Sequence, residues 1–400
     1  MSDIRFNLPS WFIAIVAIIT IAMAVRVSAD EPAKAADSWP SFRNNPQLTG
    51  VASTKLATKL TLKWKLATKD GVPATAAIVD GHAYIPVLDG EVWCIDIATG
   101  KKVWTYQSRS EVPTNGFLPG FKSSPLVTKS VIVVGDEEGL IHGIDRDKGT
   151  RVWTFETGGE IVSSPTLAPA KPDQSPRIVI GSYDNILYCL ELATGKKVWE
   201  FASEGYVNCT PAIAGDLTFV AGCDEDFRVI DLNNGEQKNI LALKSYLIGS
   251  PAVIDETVYI GTYAGELISL NWKTLERNWT YKLDESRPYE IHSSAAATDQ
   301  YILIGGQDKK LHCVDRATGK QVWTLATKGH VDSSPVVVDN RVFVGSKDGS
   351  LYEVDLPTGK VLSKNFIGRN TTASPAIAEG VLIIGSANAA GEIHCYGEAK

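Results

Sequence analysis

Positive charge in excess is the first thing this sequence lacks. Its 400 residues carry 39 Lys and Arg against 46 Asp and Glu, a net charge of −7. Nucleic acid and anionic bilayers both demand a basic surplus, so neither is the main partner. A long apolar run is missing too. The longest, residues 11–25, has 15 residues, short of the roughly 20 needed to span a bilayer as a helix. Helical periodicity is absent after residue 29, which argues against a helical domain. The sequence has no His-Glu-x-x-His, Cys-x-x-Cys or Gly-x-Ser-x-Gly, and no Cys-Cys pair; this removes the usual zinc, redox and serine-hydrolase signatures. Its Thr-Gly-Lys triplets lack the upstream glycine of a phosphate loop. With 44% hydrophobic and 21% charged residues, the composition is that of a globular chain rather than a disordered one.

The start of the chain reads as an export signal. Arg5 precedes the apolar run, and Val27-Ser28-Ala29 offers the small residues a signal peptidase needs. Residues 1–29 are therefore expected to be a cleaved signal peptide. No Cys stands at the cleavage point, so no lipid attachment is expected. The mature protein is placed in the periplasm or at the cell surface, with no transmembrane span. Residues 60–400 form the folded domain, and residues 30–59 form a lead-in lying along its rim.

What the sequence does have is repetition. Ser124-Pro125, Ser164-Pro165, Ser250-Pro251, Ser334-Pro335 and Ser374-Pro375 recur in register, with Thr210-Pro211, Ser294-Ala295 and Thr75-Ala76 as degenerate copies. From Ala76 the spacings are 49, 40, 46, 40, 44, 40 and 40 residues. A base period near 40 means an array of eight units. Insertions fall at 110–120, 168–176 and 285–289. A second marker, Trp64, Trp104, Trp153, Trp199, Trp279 and Trp323, keeps the same register, with Asn239 and Ser363 replacing it twice. Within a unit, four short apolar stretches alternate with Asn, Asp and Gly turns, as at 334–338, 341–346, 350–355 and 360–366. Four strands per 40 residues, repeated, predict an all-β, eight-bladed β-propeller. The eighth unit lacks its outer strand, and residues 60–67 form an outer strand with no unit before it. Pairing the two closes the ring and leaves no open edge.

The turn into the outer strand has a longer signature, Asp96-Ile97-Ala98-Thr99-Gly100-Lys101-Lys102-Val103-Trp104, repeated at 191–199 and 315–323, with a variant at 145–153. It resembles the tryptophan-docking motif of the quinoprotein family, the pyrroloquinoline quinone (PQQ)-like repeat propellers, over nearly all of the mature chain. The resemblance implies that the six Trp dock adjacent blades. The blades with Asn239, Ser363 and Thr274-Leu275 depart from it and are expected to dock less tightly. It also implies two function classes. One is the PQQ-dependent dehydrogenase of alcohols or sugars, whose members carry a vicinal Cys pair, a Ca²⁺ site of Glu, Asn and Asp, and long roofing inserts. The other is the non-catalytic scaffold, typified by a lipoprotein of outer-membrane protein assembly. No vicinal Cys pair and no calcium constellation are found here, and the repeats leave too little chain for a roof. The reading is therefore a scaffold with no cofactor and a protein partner in the cell envelope; PQQ with calcium belongs to the alternative.

Candidate site residues are set by the register. The third and fifth positions before the Pro marker share one side of each strand and ring the channel mouth. They include Glu160, Tyr206, Asn208, Tyr246, Glu290, His292, His330, Asp332 and Asn370, and the insert adds Phe117 with Phe121 nearby. Mixed Tyr, His, Asn and carboxylates suit recognition. Glu290, His292, His330 and Asp332 read as a polar cluster rather than a metal site. The acidic runs 136–138 and 224–226 read as solvated turns. Cys94, Cys189, Cys313 and Cys395 occupy one repeat position as small buried side chains. Cys209 and Cys223 face each other across a predicted hairpin, where export permits a disulfide.

Overall fold

The computed structural model describes residues 37–111, 118–172, 174–388 and 390–399; the signal segment and Phe117 lie outside the described residues. The described strands form eight sheets, each built on a four-stranded antiparallel blade running from the channel outwards, one of which gains a fifth, parallel strand from the lead-in. The innermost strands of blades 1 to 8 begin at Ala77, Leu126, Thr166, Ala212, Ala252, Ala296, Val336 and Ala376. Blade 7 is representative: Val336–Val338, Arg341–Gly345, Ser350–Asp355 and Val361–Phe366. The second and third strands are buried on both faces, because each blade is stacked between two others. Blade 8 takes its outer strand, Thr61–Ala67, from the other end of the chain. Trp64 stands opposite Cys395 and Ala67 opposite Glu392, so the ring closes as the sequence predicts.

The Ser-Pro marker has a structural reason. The amide of Thr75 donates to Ser124 Oγ at 3.0 Å, that of Ser124 to Ser164 Oγ, and so on through Thr210, Ser250, Ser294, Ser334 and Ser374. Seven successive blade junctions are thus tied around the axis by one hydroxyl each. Pro follows where the innermost strand has a free edge and can do without an N–H.

The Trp marker works between blades. Each outer strand is bulged just before the marker position, and a bulge re-aims the side chain that follows it. All six Trp indoles donate Nε1 to a backbone carbonyl of the next blade: Ile97, Arg146, Leu192, Leu232, Arg316 and Leu356 O, at 2.8–3.2 Å. Each ring also covers a turn glycine of that blade; a Cβ on Gly195 would come within 2.4 Å of the Trp153 ring. Opposite the Trp in its own blade stands a small residue: Cys94, Gly143, Cys189, Ser269, Cys313 or Cys395. That placement accounts for the four equivalent cysteines.

Where Trp is replaced, the partners change with it. Asn239 stands opposite Val229, and the facing turn of blade 5 carries Leu275 in place of Gly. Blade 5 fills the junction from its own side: Trp272 packs on Phe219 at 5.4 Å, and Leu275 joins the same cluster. Ser363 instead bonds Glu353, which pairs with Arg341, whose guanidinium also holds the carbonyls of Leu56 and Ala57. Both junctions are filled by residues other than the marker Trp.

The lead-in does not lie along the rim. Residues 37–54 run inside the channel at the end away from the Ser-Pro steps. The inner-strand amides of Ile78, Val127, Ile213, Val253, Ala297 and Val337 donate to the carbonyls of Trp39, Pro40, Pro46, Gln47, Thr49 and Gly50. Val51–Ala52 pairs in parallel with Val336–Val338, and Thr54 Oγ1 and Asp37 Oδ1 accept amides in the first turn of blade 8. Inner strands present an unpaired edge to the channel, and unpaired edges need covering. This arm covers them in six blades, with Trp39 fully buried.

Candidate functional site

The open end of the channel is the mouth where the innermost strands begin. The structure places the predicted ring there and adds a second ring beside it. The backbone explains both. At blade after blade, the second residue after the second strand donates its amide to the carbonyl of the fifth residue before that blade's own Pro-marker position: Glu137 to Gly120, Tyr183 to Glu160, Cys223 to Tyr206, Tyr263 to Tyr246, Gln307 to Glu290 and Lys347 to His330. Sequence reasoning missed Glu137, Tyr183, Tyr263, Gln307 and Lys347. The signal was present, because each sits one residue before the turn position most often held by Asp, in register like the others.

The two rings divide the mouth into different halves. Across blades 3 to 6 it is aromatic. Tyr183 stacks on Tyr206 with centroids 4.9 Å apart and planes 8° from parallel. Tyr246 meets Tyr263 edge-on at 6.2 Å, and Tyr263 stacks with His292 at 5.4 Å. Tyr206 and Tyr246 are each 51% exposed. The remainder is charged and internally paired. Lys122 bridges Glu137 at 3.0 Å and Glu160 at 2.8 Å, and Lys347 pairs with Asp332 at 2.6 Å. His292 Nε2 lies 2.8 Å from Glu290, with Gln307 3.1 Å from its Nδ1. Asp332 is 3.9 Å from His292 Nδ1. Asn208 and His330 are half-buried in the ring and Asn370 is exposed. Among the described residues no three His, Cys, Asp or Glu side chains converge as a metal site.

Three readings need correction. Phe121 is not a surface anchor; it is fully buried against His142 at 5.4 Å. Cys209 and Cys223 are free thiols. The ladder of their hairpin starts only at Ala212, and Cys209 Sγ turns away to the carbonyls of Leu247, Ile248 and Gly249. The acidic turns are not solvated throughout. Asp136 is fully buried, bonded by His142 Nε2 at 2.9 Å and Arg109 at 2.6 Å. Burial alone would raise its pKa, but those partners hold it below the usual carboxylate range. Burial pushes the His142 pKa down. The neutral imidazole accepts from the Tyr106 hydroxyl at 2.8 Å and donates to Asp136. Tyr281, His312 and Asp308 repeat the arrangement one half-ring away. These chains lie inside blade junctions, where they satisfy buried polar groups. Asp224 is likewise held by Arg228.

Together, four-stranded repeats, inter-blade indoles and a ring closed by an N-terminal strand define an eight-bladed quinoprotein-type β-propeller. The family described as outer membrane protein assembly factor BamB matches the chain over residues 51–174, 172–298 and 289–394, and the chain belongs to that family. The chain is 24% identical to the assembly factor BamB of Shewanella oneidensis over 298 residues, covering 70% of this chain and 73% of that one. The match to its Xanthomonas campestris counterpart, at 28% identity, spans only 24% of either protein. Quinohemoprotein alcohol dehydrogenase ADH-IIG of Pseudomonas putida is 27% identical over 41% of this chain and 26% of its own length. Among solved structures, BamB from Moraxella catarrhalis superposes with a TM-score of 0.69 at 17% identity, over 85% of this chain and 98% of that one. A europium-containing methanol dehydrogenase reaches 0.75 at 13% identity, over 91% and 99%. At such identities these structures show the fold alone.

The charged groups at the channel mouth are largely paired with one another, which suits a quinone with its calcium poorly. A tricarboxylate cofactor needs free cations and a metal needs converging carboxylates. The mouth lysines are already neutralised by Glu137, Glu160 and Asp332, no ligand triad converges, and the other end of the channel is filled by the arm. Among the described residues no helix is long and apolar enough to cross a membrane.

Proposed function

We propose that this chain is an exported, non-catalytic scaffold that binds protein partners at the channel mouth, in the assembly of envelope or outer-membrane proteins. The observation that carries this reading is the aromatic arc. Tyr206 and Tyr246 hold half their surface in solvent and are braced by Tyr183 and Tyr263. Rigid tyrosines contribute large contact area at low entropic cost. The family match supports the assembly role, and the six indoles act as the docking elements that keep the ring rigid beneath the arc. Phe117, in the 110–120 insertion, is proposed as a further contact. The protein works without a cofactor and acts on the periplasmic side of the envelope.

The test replaces Tyr206 and Tyr246 by Ala. Capture of envelope proteins by site-specific photo-crosslinking at the mouth should fall at least tenfold with an unchanged melting temperature. Undiminished crosslinking would move the binding surface elsewhere. The dehydrogenase relatives motivate a parallel assay: dye reduction with an alcohol or sugar after addition of PQQ and Ca²⁺. Sustained turnover there would replace the scaffold reading.

A further inference from the structure

No cation of the chain itself answers the mouth tyrosines. An aromatic face is electron-rich and attracts a cation within about 6 Å of the ring centroid. Elsewhere the chain seats its own cations on such faces: Lys102 over Trp93 at 3.0 Å, Lys364 over Tyr352 at 4.6 Å and Arg287 over Tyr289 at 4.9 Å. Among the described residues, no Lys or Arg is seated on Tyr183, Tyr206, Tyr246 or Tyr263. Stacking on Tyr183 occupies one face of Tyr206, and Tyr246 meets Tyr263 at 86°. Both outer rings keep half their surface in solvent.

The lysines at the mouth are turned to carboxylates instead. Lys122 is shared by Glu137 and Glu160, and Lys347 pairs with Asp332. Asp332 gives Oδ2 to that lysine, while its Oδ1 has no donor. Glu290 holds His292, and among the described residues it has no Lys or Arg partner. Four carboxylates thus face two lysines. With histidines counted as neutral, the surplus falls at the two ends of the arc, one charge around Glu160 and one at Glu290. Burial raises the pKa of Tyr183 and of Tyr263, and next in effect come Glu160 and Glu290 respectively. Each end of the arc therefore has a carboxylate close to a ring.

We propose that the partner bound at the mouth presents a basic polypeptide segment, whose Arg or Lys side chains lie on the exposed rings of Tyr206 and Tyr246 between the Glu160 and Glu290 carboxylates. This rests on the scaffold reading for the existence of a partner and adds the partner's chemistry. A tyrosine ring packs against the alkyl stem of such a side chain and attracts its charged head. Arg suits the site better than Lys, because a guanidinium is flat, stacks on rings and is weakly hydrated. An acidic segment would meet like charge at both ends of the arc.

Fluorescence anisotropy on the full protein tests this with labelled Gly-Ser peptides of one length carrying spaced Arg, citrulline or Glu residues. Citrulline keeps the shape of Arg and loses its charge. The Arg peptide should bind about tenfold more tightly than the citrulline peptide, and the Glu peptide more weakly than either. Tyr206→Leu with Tyr246→Leu should weaken the Arg peptide about fivefold, whereas Tyr206→Phe with Tyr246→Phe keeps the ring faces and should retain binding. Glu160→Gln with Glu290→Gln should weaken the Arg peptide and leave the citrulline peptide unchanged. Asp299→Asn with Glu276→Gln removes the same charge from turns at the opposite end of the ring and should change neither. Equal affinity for the Arg and citrulline peptides overturns the proposal. So does a control pair as damaging as the mouth pair, or a Phe pair as damaging as the Leu pair. The existence of a partner is judged separately, by crosslinking of envelope proteins at the mouth, which a failure of the charge rule leaves untouched.

Discussion

Replacing Trp153 by Ala should weaken the ring by an amount that can be worked out from its surroundings. The indole is buried, with Gly143 beneath it and Gly195 of the next blade against its face. Truncating a core Trp costs about 3–5 kcal/mol. The Leu192 carbonyl, which accepts from Nε1 at 2.9 Å, is left without its donor and adds about 1 kcal/mol. Trp153→Phe keeps most of the packing and should cost about 1–2 kcal/mol. Melting entropy is about 2.1 cal/mol/K per residue, or about 0.7 kcal/mol/K for a cooperative ring of about 340 residues. The Ala variant should then melt about 6–9 °C lower and the Phe variant about 1.5–3 °C lower by scanning calorimetry. Val152→Ala is the control, since Val152 is the outward-facing bulge residue beside it, and should stay within about 1 °C. An Ala variant that melts with the control, or a Phe variant as damaged as the Ala one, would refute the account of how blades are joined.

Acid should destabilise the protein before its carboxylates titrate. Burial holds the His142 and His394 pKa values below their ordinary value near 6.5, so below that pH the unfolded chain takes up protons the folded chain refuses, and stability falls as pH falls. Melting temperature should drop from pH 7 to pH 5, and drop less in His142→Gln; identical drops would remove His142 from the explanation. Thiol labelling should reach Cys223 in the native state, since it is half-buried at the mouth, and reach Cys209, Cys94, Cys189, Cys313 and Cys395 only after unfolding, their thiols being buried and pushed up in pKa. A linked Cys209–Cys223 peptide in oxidised protein would contradict the free thiols.

The architecture was legible because each repeated residue performs the same local task eight times or nearly so. Ser at the marker accepts an amide, Trp caps a glycine, and neither role depends on where in the ring it occurs. What could not be read were contacts made once, or between residues whose separation carries no period. Asp136 looked like a solvated turn because its partners lie 6 residues on, at His142, and 27 residues back, at Arg109. The arm looked like a rim segment because carbonyls do its work; Pro46 and Gly50 accept inner-strand amides through main-chain atoms that side-chain pattern does not reveal.

The junction between blades 4 and 5 shows how far a blade can depart from the pattern. A docking unit consists of three residues on two blades: the Trp, the small residue opposite it, and the glycine it covers. Here all three differ, as Asn239, Val229 and Leu275, and the volume is returned by Trp272 and Leu275 from the other side. Keeping any one of the original three would leave a void or a clash, so the unit is replaced whole. The same two blades carry Tyr206 and Tyr246. Mouth residues vary from blade to blade on a repeated main-chain frame: Cys223 donates to Tyr206 O and Tyr263 to Tyr246 O whatever the side chains are. The docking units between blades are thus bound to one side-chain pattern, whereas at the mouth the repeated bonds are main-chain and the side chains differ from blade to blade, which is why the proposed binding surface is placed there.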